Sequence, residues 1–300
     1  MVDVETPSLR LSPRTAPSAA SRSLTIPCGR TRLRYQGRPL IMGILNVTPD
    51  SFSDGGRYAG AAAAIARGVE MARDGADLID IGGESTRPRS APVPVEEELR
   101  RVLPVIAGLS GAVRVPLSID TSKAQVASRA IEAGAGLIND VTALRGDPAM
   151  ARTAARGRAA VILMHMRGIP QTMQRAPHYR DVVEDVAGFL RQAAARAEAA
   201  GIARQRILLD PGLGFGKTAR HNLVLLRALE RLMALGYPVV VGPSRKSFIG
   251  ETLEAPIEAR LAGTLACVAR ACAAGAHVVR VHDVRAARDV VRMLDAIAHA

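Results

Sequence analysis

Several polar residues sit where short apolar runs of this 300-residue chain end. They are Asn46, Asp120, Asn139, Asp210, Lys246, Arg280 and His282. Asp120, Asn139 and Asp210 offer acceptors and one amide, a set suited to a flat heterocycle that carries N–H and amino donors. A carboxylate takes two parallel N–H donors side by side, which is how a 2-amino-4-oxo pyrimidine edge (pterin or guanine) would be held. Lys246 would donate to a ring oxygen or nitrogen, and a planar arginine would stack on the ring face. Asn46, Arg280 and His282 can all donate to oxygens, which suits phosphate or diphosphate if the first strand closes against the last. Asn46 also offers a neutral carbonyl to Mg²⁺, which takes few protein ligands beside phosphate oxygens.

Other chemistries find less support. His165 and His282 stand far apart in sequence, and zinc is not expected. No G-x-S-x-G elbow surrounds Ser244. The run Gly212-Leu213-Gly214-Phe215-Gly216-Lys217 lacks Walker spacing, so its glycines read as close backbone approach beside Asp210. Cys28, Cys267 and Cys272 form neither a disulfide framework nor a zinc knuckle and read as buried thiols of a reducing cytoplasm. The net charge of +12 comes from arginines scattered along helices, and aromatics make up only 3%, so there is little to stack on bases and nucleic acid is not an expected partner. No run reaches the ~18 apolar residues of a membrane span.

The elements that position these groups repeat monotonously. Apolar runs near 40–45, 77–82, 115–119, 137–140, 159–164, 206–209, 238–242 and 277–281 alternate with amphipathic or Ala-rich helical stretches. Strands apolar on both faces, separated by helices, form parallel sheets. Eight such units, each the roughly thirty residues of a βα repeat, predict an α/β fold, a (β/α)₈ barrel with its chemistry at the C-terminal strand ends. An open doubly wound sheet would carry a Gly-rich fingerprint after its first strand, and none is present. Two alternating stretches around Cys28-Gly29-Arg30 predict an N-terminal β-hairpin. Residues 1–22, rich in Ser, Pro and Arg, read as a disordered tail without a secretory h-region, leaving 23–300 as one domain.

The residues 44–56 (I-L-N-V-T-P-D-S-F-S-D-G-G), 82–88 (G-G-E-S-T-R-P), 118–121 (S-I-D-T), 137–141 (L-I-N-D-V), 163–166 (L-M-H-M), 209–217 (L-D-P-G-L-G-F-G-K), 244–247 (S-R-K-S) and 280–283 (R-V-H-D) resemble, in order, the motifs of the dihydropteroate synthase family, a pterin-binding TIM-barrel family. The likeness runs from about residue 25 to the end. Arg89 and Pro243 depart from the family pattern without touching its chemical groups.

The resemblance implies a transferase of folate biosynthesis, a sulfonamide target, in which the amine of p-aminobenzoate displaces pyrophosphate from 6-hydroxymethyl-7,8-dihydropterin diphosphate. It implies that Asp120, Asn139, Asp210 and Lys246 hold the pterin, with Met164, Phe215 and Arg280 lining that pocket. It places pyrophosphate at Asn46, Thr86, Arg87, Arg280 and His282, with Mg²⁺ at Asn46. Phe52, Pro88, Lys246 and Ser247 would frame the p-aminobenzoate pocket, and the catalytic set would be Asn46, Asp120, Asp210, Lys246, Arg280 and His282. It further implies a cytoplasmic homodimer, for which the apolar Leu261–Ala274 helix is a candidate face. An aryl amine needs no strong base at neutral pH; the difficult event is loss of pyrophosphate, and because the electron-rich dihydropterin can delocalise the cation left on its methylene, the expected path is ionisation first, with loops 47–58 and 84–94 closing over that cation. A pterin-binding methyltransferase barrel would have no use for an anion cluster, and a non-catalytic paralogue would have lost parts of it.

Overall fold

The computed structural model describes residues 23–48, 56–85, 91–168 and 172–300. The expected tail lies outside the described residues, as do Phe52, Thr86, Arg87 and Pro88. The chain opens with β1 (Leu24–Cys28) and β2 (Thr31–Tyr35), an antiparallel hairpin in register from Leu24↔Tyr35 to Cys28↔Thr31. Gly29 turns it at φ +57°, and a Cβ there would lie 3.2 Å from the Cα of Gly136.

Eight parallel strands follow: β3 (Leu40–Asn46), β4 (Leu78–Gly82), β5 (Leu117–Asp120), β6 (Leu137–Asp140), β7 (Ala160–Met164), β8 (Ile207–Asp210), β9 (Val240–Val241) and β10 (Val278–Val281). Their order is β8-β7-β6-β5-β4-β3-β10-β9. A parallel bridge Leu209↔Val239, with the Leu209 N–H donating to the Pro238 carbonyl at 2.9 Å, joins the two edges into a barrel. The first strand closes against the last, Val278↔Leu40 through Val281↔Gly43. The seventh strand is shorter than its apolar run suggests. Pro238 and Pro243 bracket it, and proline brings no ladder donor.

Between the strands run α1 (Gly56–Arg73), α2 (Val95–Ala112), α3 (Ala124–Ala133), α4 (Met150–Arg156), α5 (Val182–Ala199), α6 (Ala219–Arg227) with α7 (Leu229–Met233), α8 (Ser247–Leu253) with α9 (Leu261–Ala273), and α10 (Val284–Ala298). The period-2 pleat divides every strand between two cores. Outward residues such as Ile41, Ile79, Ile119, Val161, Leu209, Val241 and Val279 pack on the helices. Inward residues Leu40, Met42, Leu78, Leu137, Ala160, Ile162, Leu208, Val240 and Val278 fill the barrel. Ile26, Cys28 and Leu33 of the hairpin join that inner cluster at the N-terminal strand ends and close the floor. Each such fully buried aliphatic side chain contributes about 1.5–3 kcal/mol relative to exposure. Cys28 is buried, which pushes its thiol up to about 12; Cys267 and Cys272 are only half-buried, and all three are free.

Candidate active site

The inward parity continues upward. The next inward positions after the apolar floor are Asn46, Asp80, Gly82, Ser118, Asp120, Asn139, Met164, Asp210, Gly242, Arg280 and His282. The same alternation that buries leucines below therefore aims the polar groups into the mouth above. Strand register sets Asn46, Gly82, Asp120 and Asn139 side by side across β3, β4, β5 and β6. Asp210 stands beside Met164 across β8 and β7. His165 has the opposite parity, so it points outward and packs edge-on against Phe189 with ring centres 4.9 Å apart. Burial and the nearby Lys217 push it down to about 2.

Arg280 crosses the mouth to the far wall. Its Nε donates to Asp80 Oδ2 at 2.7 Å, and its Nη2 lies 2.7 Å from the same oxygen and 2.8 Å from Asp120 Oδ2. Asn139 Nδ2 donates to Asp80 Oδ2 at 2.9 Å. Asp80 is fully buried, and its Oδ1 has no hydrogen-bond partner among the described residues. Burial pushes Asp120 up to about 7; Arg280 opposes the shift while Asp80 adds to it. Of the three residues expected to hold an anion, Arg280 is shared with two carboxylates, and no hydrogen bond or ion pair links it to Asn46 or His282 among the described residues. His282 instead has its Nδ1 2.8 Å from Ser244 Oγ.

The loop after β8 supplies the opposite wall. Asp210 Oδ1 accepts the Gly212 N–H at 2.7 Å, and burial raises its carboxyl against the pull of Lys246. Gly212 is at φ +65°, where a Cβ would sit 1.9 Å from the His165 carbonyl oxygen, so only glycine fits. Lys217 is 3% exposed and donates to the carbonyls of Gly212 at 2.9 Å and Phe215 at 3.0 Å, with His165 Nδ1 at 2.9 Å. It clamps the loop from behind and is not a phosphate lysine. Lys246 donates to the Leu213 carbonyl and stands 4.7 Å from the centre of the Phe215 ring. Burial lowers it to about 8, with Asp210 pulling the other way. Val141, Met164, Met166, Met173 and Phe215 pack into one small apolar cluster beside it. Ser247 is exposed at the start of α8.

Behind the second loop, Lys123 bonds to both Glu84 and the fully buried Glu98, while Glu84 Oε1 accepts the Val93 N–H at 3.2 Å. The two stems of that loop are tied together there. Neither this cluster nor Asp80 is among the residues expected from the sequence. An acid inside the apolar run Leu78-Ile79-Asp80-Ile81-Gly82 was the available signal for Asp80.

Chemically, the mouth presents free carboxylate oxygens, two amides, one ammonium, an apolar slot and a guanidinium. Residues 42–282 match the family model described as pterin binding enzyme, and the chain is 45% identical over 273 residues to the dihydropteroate synthase of Synechocystis sp., covering 91% of this chain and 94% of that relative. The chain belongs to the dihydropteroate synthase family. It is a transferase of folate biosynthesis. The solved dihydropteroate synthase of Xanthomonas albilineans with 4-aminobenzoic acid superposes at a TM-score of 0.87, with 49% identity over 93% of this chain and 99% of that one. The same organism's enzyme in complex with 7,8-dihydropteroate gives 0.83, at 47% identity over 92% and 99%. For a dihydropteroate synthase, eight parallel strands with helices between them and every polar group at one end is the expected (β/α)₈ arrangement.

Proposed function

We propose that the pterin lies edge-on to Asp120, Asn139 and Asp210, with Lys246 donating to its oxygen or ring nitrogen and Met164 and Phe215 along its faces. The diphosphate sits toward Asn46 and His282 beside Arg280, and p-aminobenzoate enters over Ser247. The observation that carries this reading is the single inward row of acceptors from Asn46 to Asn139, faced by Asp210 and Lys246.

In the reaction the methylene–oxygen bond breaks with its electron pair going to pyrophosphate. The amine nitrogen of p-aminobenzoate then bonds to the methylene carbon and releases a proton to solvent. The difficult event is charge separation. Arg280 adds a permanent positive charge near the departing group, and the electron-rich dihydropterin spreads the cation left behind. Asn46 is half-buried at the end of β3, and its side-chain amide makes no hydrogen bond among the described residues. That fits a Mg²⁺ carried in on diphosphate oxygens and met by one neutral ligand. When bound it would neutralise developing phosphate charge.

A homodimer is part of this reading. Leu253 and Ile257 are 51% and 41% exposed where α8 turns into α9, an apolar corner for a second copy. No helix among the described residues is long and apolar enough to cross a membrane, and the proposed compartment is the cytoplasm. The test is release of pyrophosphate from the dihydropterin diphosphate. Release that depends on p-aminobenzoate for turnover and is inhibited by a sulfonamide is expected. Pyrophosphate should also form in crystals soaked with the diphosphate alone; its complete absence without the amine would remove the ionisation-first order.

A further inference from the structure

Asp80 is the charged residue of the mouth that the reaction leaves without a part. We infer that Asp80 is a positioning residue that decides which atom of Asn139 and which corner of Arg280 face the ligand, and so makes the site selective for a ring bearing an exocyclic amino group at that edge. The inference rests on the ring placement proposed above.

Asp80 Oδ2 accepts from two donors, Asn139 Nδ2 at 2.9 Å and Arg280 Nε at 2.7 Å, and pairs with Arg280 Nη2 at 2.7 Å. A carboxylate accepts and does not donate, so it can bond only to the NH₂ end of an amide. Turning Asn139 over would press its carbonyl oxygen against a buried anion. The amide is therefore locked with Oδ1 away from Asp80, and that oxygen accepts no hydrogen bond among the described residues. A ligand meets a fixed acceptor there. A 2-amino group satisfies it, whereas a 2-oxo group brings two acceptors together and leaves both unpaired. Arg280 is locked by the same oxygen. Its Nε and Nη2 are spent on Asp80 and Asp120, which leaves Nη1 as the corner without an acceptor among the described residues.

The register explains why Asp80 can do this. It is the inward residue one step below Gly82, and Gly82 has no side chain to shield it from the row above. Asp80 pairs with Ser118 in the ladder, and both are fully buried. It touches the two ligand-facing residues from beneath and has no exposed surface of its own.

The experiment compares binding of 6-hydroxymethylpterin and its 2,4-dioxo counterpart, by quenching of ligand fluorescence, to the wild type, Asp80→Asn and Asn139→Ala. The wild type should prefer the 2-amino ring by at least ~100-fold, within the ~10⁴–10⁵ by which a site built to hydrogen-bond a donor can reject an analogue lacking it. An asparagine at 80 can donate as well as accept, so Asn139 becomes free to turn, and the preference should fall below ~10-fold. A preference kept in Asp80→Asn while both affinities fall equally overturns the positioning role and leaves the ring placement intact. A wild-type preference together with wild-type affinity kept in Asn139→Ala would mean the ring does not sit on Asn139, which removes both. Should Asp80→Asn fail to fold, the wild type answers by itself. With ¹⁵N-asparagine, which labels Asn46, Asn139 and Asn222, the Asn139 side-chain NH₂ should stay protected from solvent exchange with and without pterin. Loss of that protection on pterin binding overturns the lock.

Discussion

Replacing Arg280 with alanine removes the one cation between two buried carboxyls. Asp80 is fully buried and the Asp120 side chain is 10% exposed, and Arg280 lies 2.7 and 2.8 Å from them. Breaking a buried pair by deleting one partner costs about 3–5 kcal/mol, because the remaining charge stays buried and uncompensated. The loss should depend on pH. In the wild type Asp120 already sits near 7, raised by burial and held back by Arg280. Without Arg280 it rises further, so above pH 7 the folded variant keeps a proton that the folded wild type has released. The difference in stability then grows with pH by about 1.4 kcal/mol per unit for one proton, up to the variant's own pKa. Urea unfolding followed by circular dichroism between pH 6 and 8.5 measures it. A loss near 3–5 kcal/mol at pH 8 that shrinks toward pH 7 is expected. A loss below about 1 kcal/mol, or one flat across that range, would mean that Arg280 does not hold Asp120 in solution. The same variant should lose far more affinity for the dihydropterin diphosphate than for the unphosphorylated pterin.

The profile of kcat/KM against pH should be bell-shaped: the acid limb falls as Asp120 gains its proton near 7, and the alkaline limb falls as Lys246 loses its own near 8. Lys246→Arg, which cannot deprotonate in this range, should abolish the alkaline limb even where turnover drops. Asp210→Ala removes both a ring acceptor and the bond from the Gly212 N–H, at ~1–3 kcal/mol for each group left unpaired. Pterin binding should fall at least tenfold in calorimetry, and unchanged affinity would take Asp210 out of the site. Gly212→Ala forces a Cβ onto the His165 carbonyl at a positive φ and should shift the loop that carries Phe215 and clamps on Lys217. A lower melting temperature together with weaker pterin binding is expected; wild-type values for both would contradict the close approach.

Much of the site was legible because strand pleat and strand end are local facts. Asn46, Asp120, Asn139 and Asp210 each close an apolar run, so their place in the mouth follows from period-2 alternation and from the barrel's habit of putting polar groups at C-terminal ends. The hairpin around Gly29 was legible for the same reason. Asp80 was not, since its meaning depends on a guanidinium 200 residues away. Lys123 with Glu84 and Glu98 escaped likewise, as charges that read as solvated in sequence pair, and Glu98 is buried, only when three separate elements converge. The close backbone approach expected of the 212–217 glycines is there, but the enclosure of the Lys217 ammonium by its own loop's carbonyls left no mark in the spacing. The sharing of Arg280 between two acids was hidden too, because reach across a barrel is a property of shear and tilt and leaves no trace in spacing.

The hairpin that seals the barrel with Ile26, Cys28 and Leu33 also governs traffic. A barrel stoppered at one end has a single doorway, so whatever sits deepest must arrive first and depart last. On the proposed placement the pterin is that molecule, and the aryl amine enters only over an occupied floor. Turnover is then a compulsory sequence: heterocycle in, amine in, pyrophosphate out past the amine's side of the rim, joined product last. On that placement the finished product backs out along the path its first half took in, and at high concentration it should compete with the diphosphate substrate before it competes with the amine.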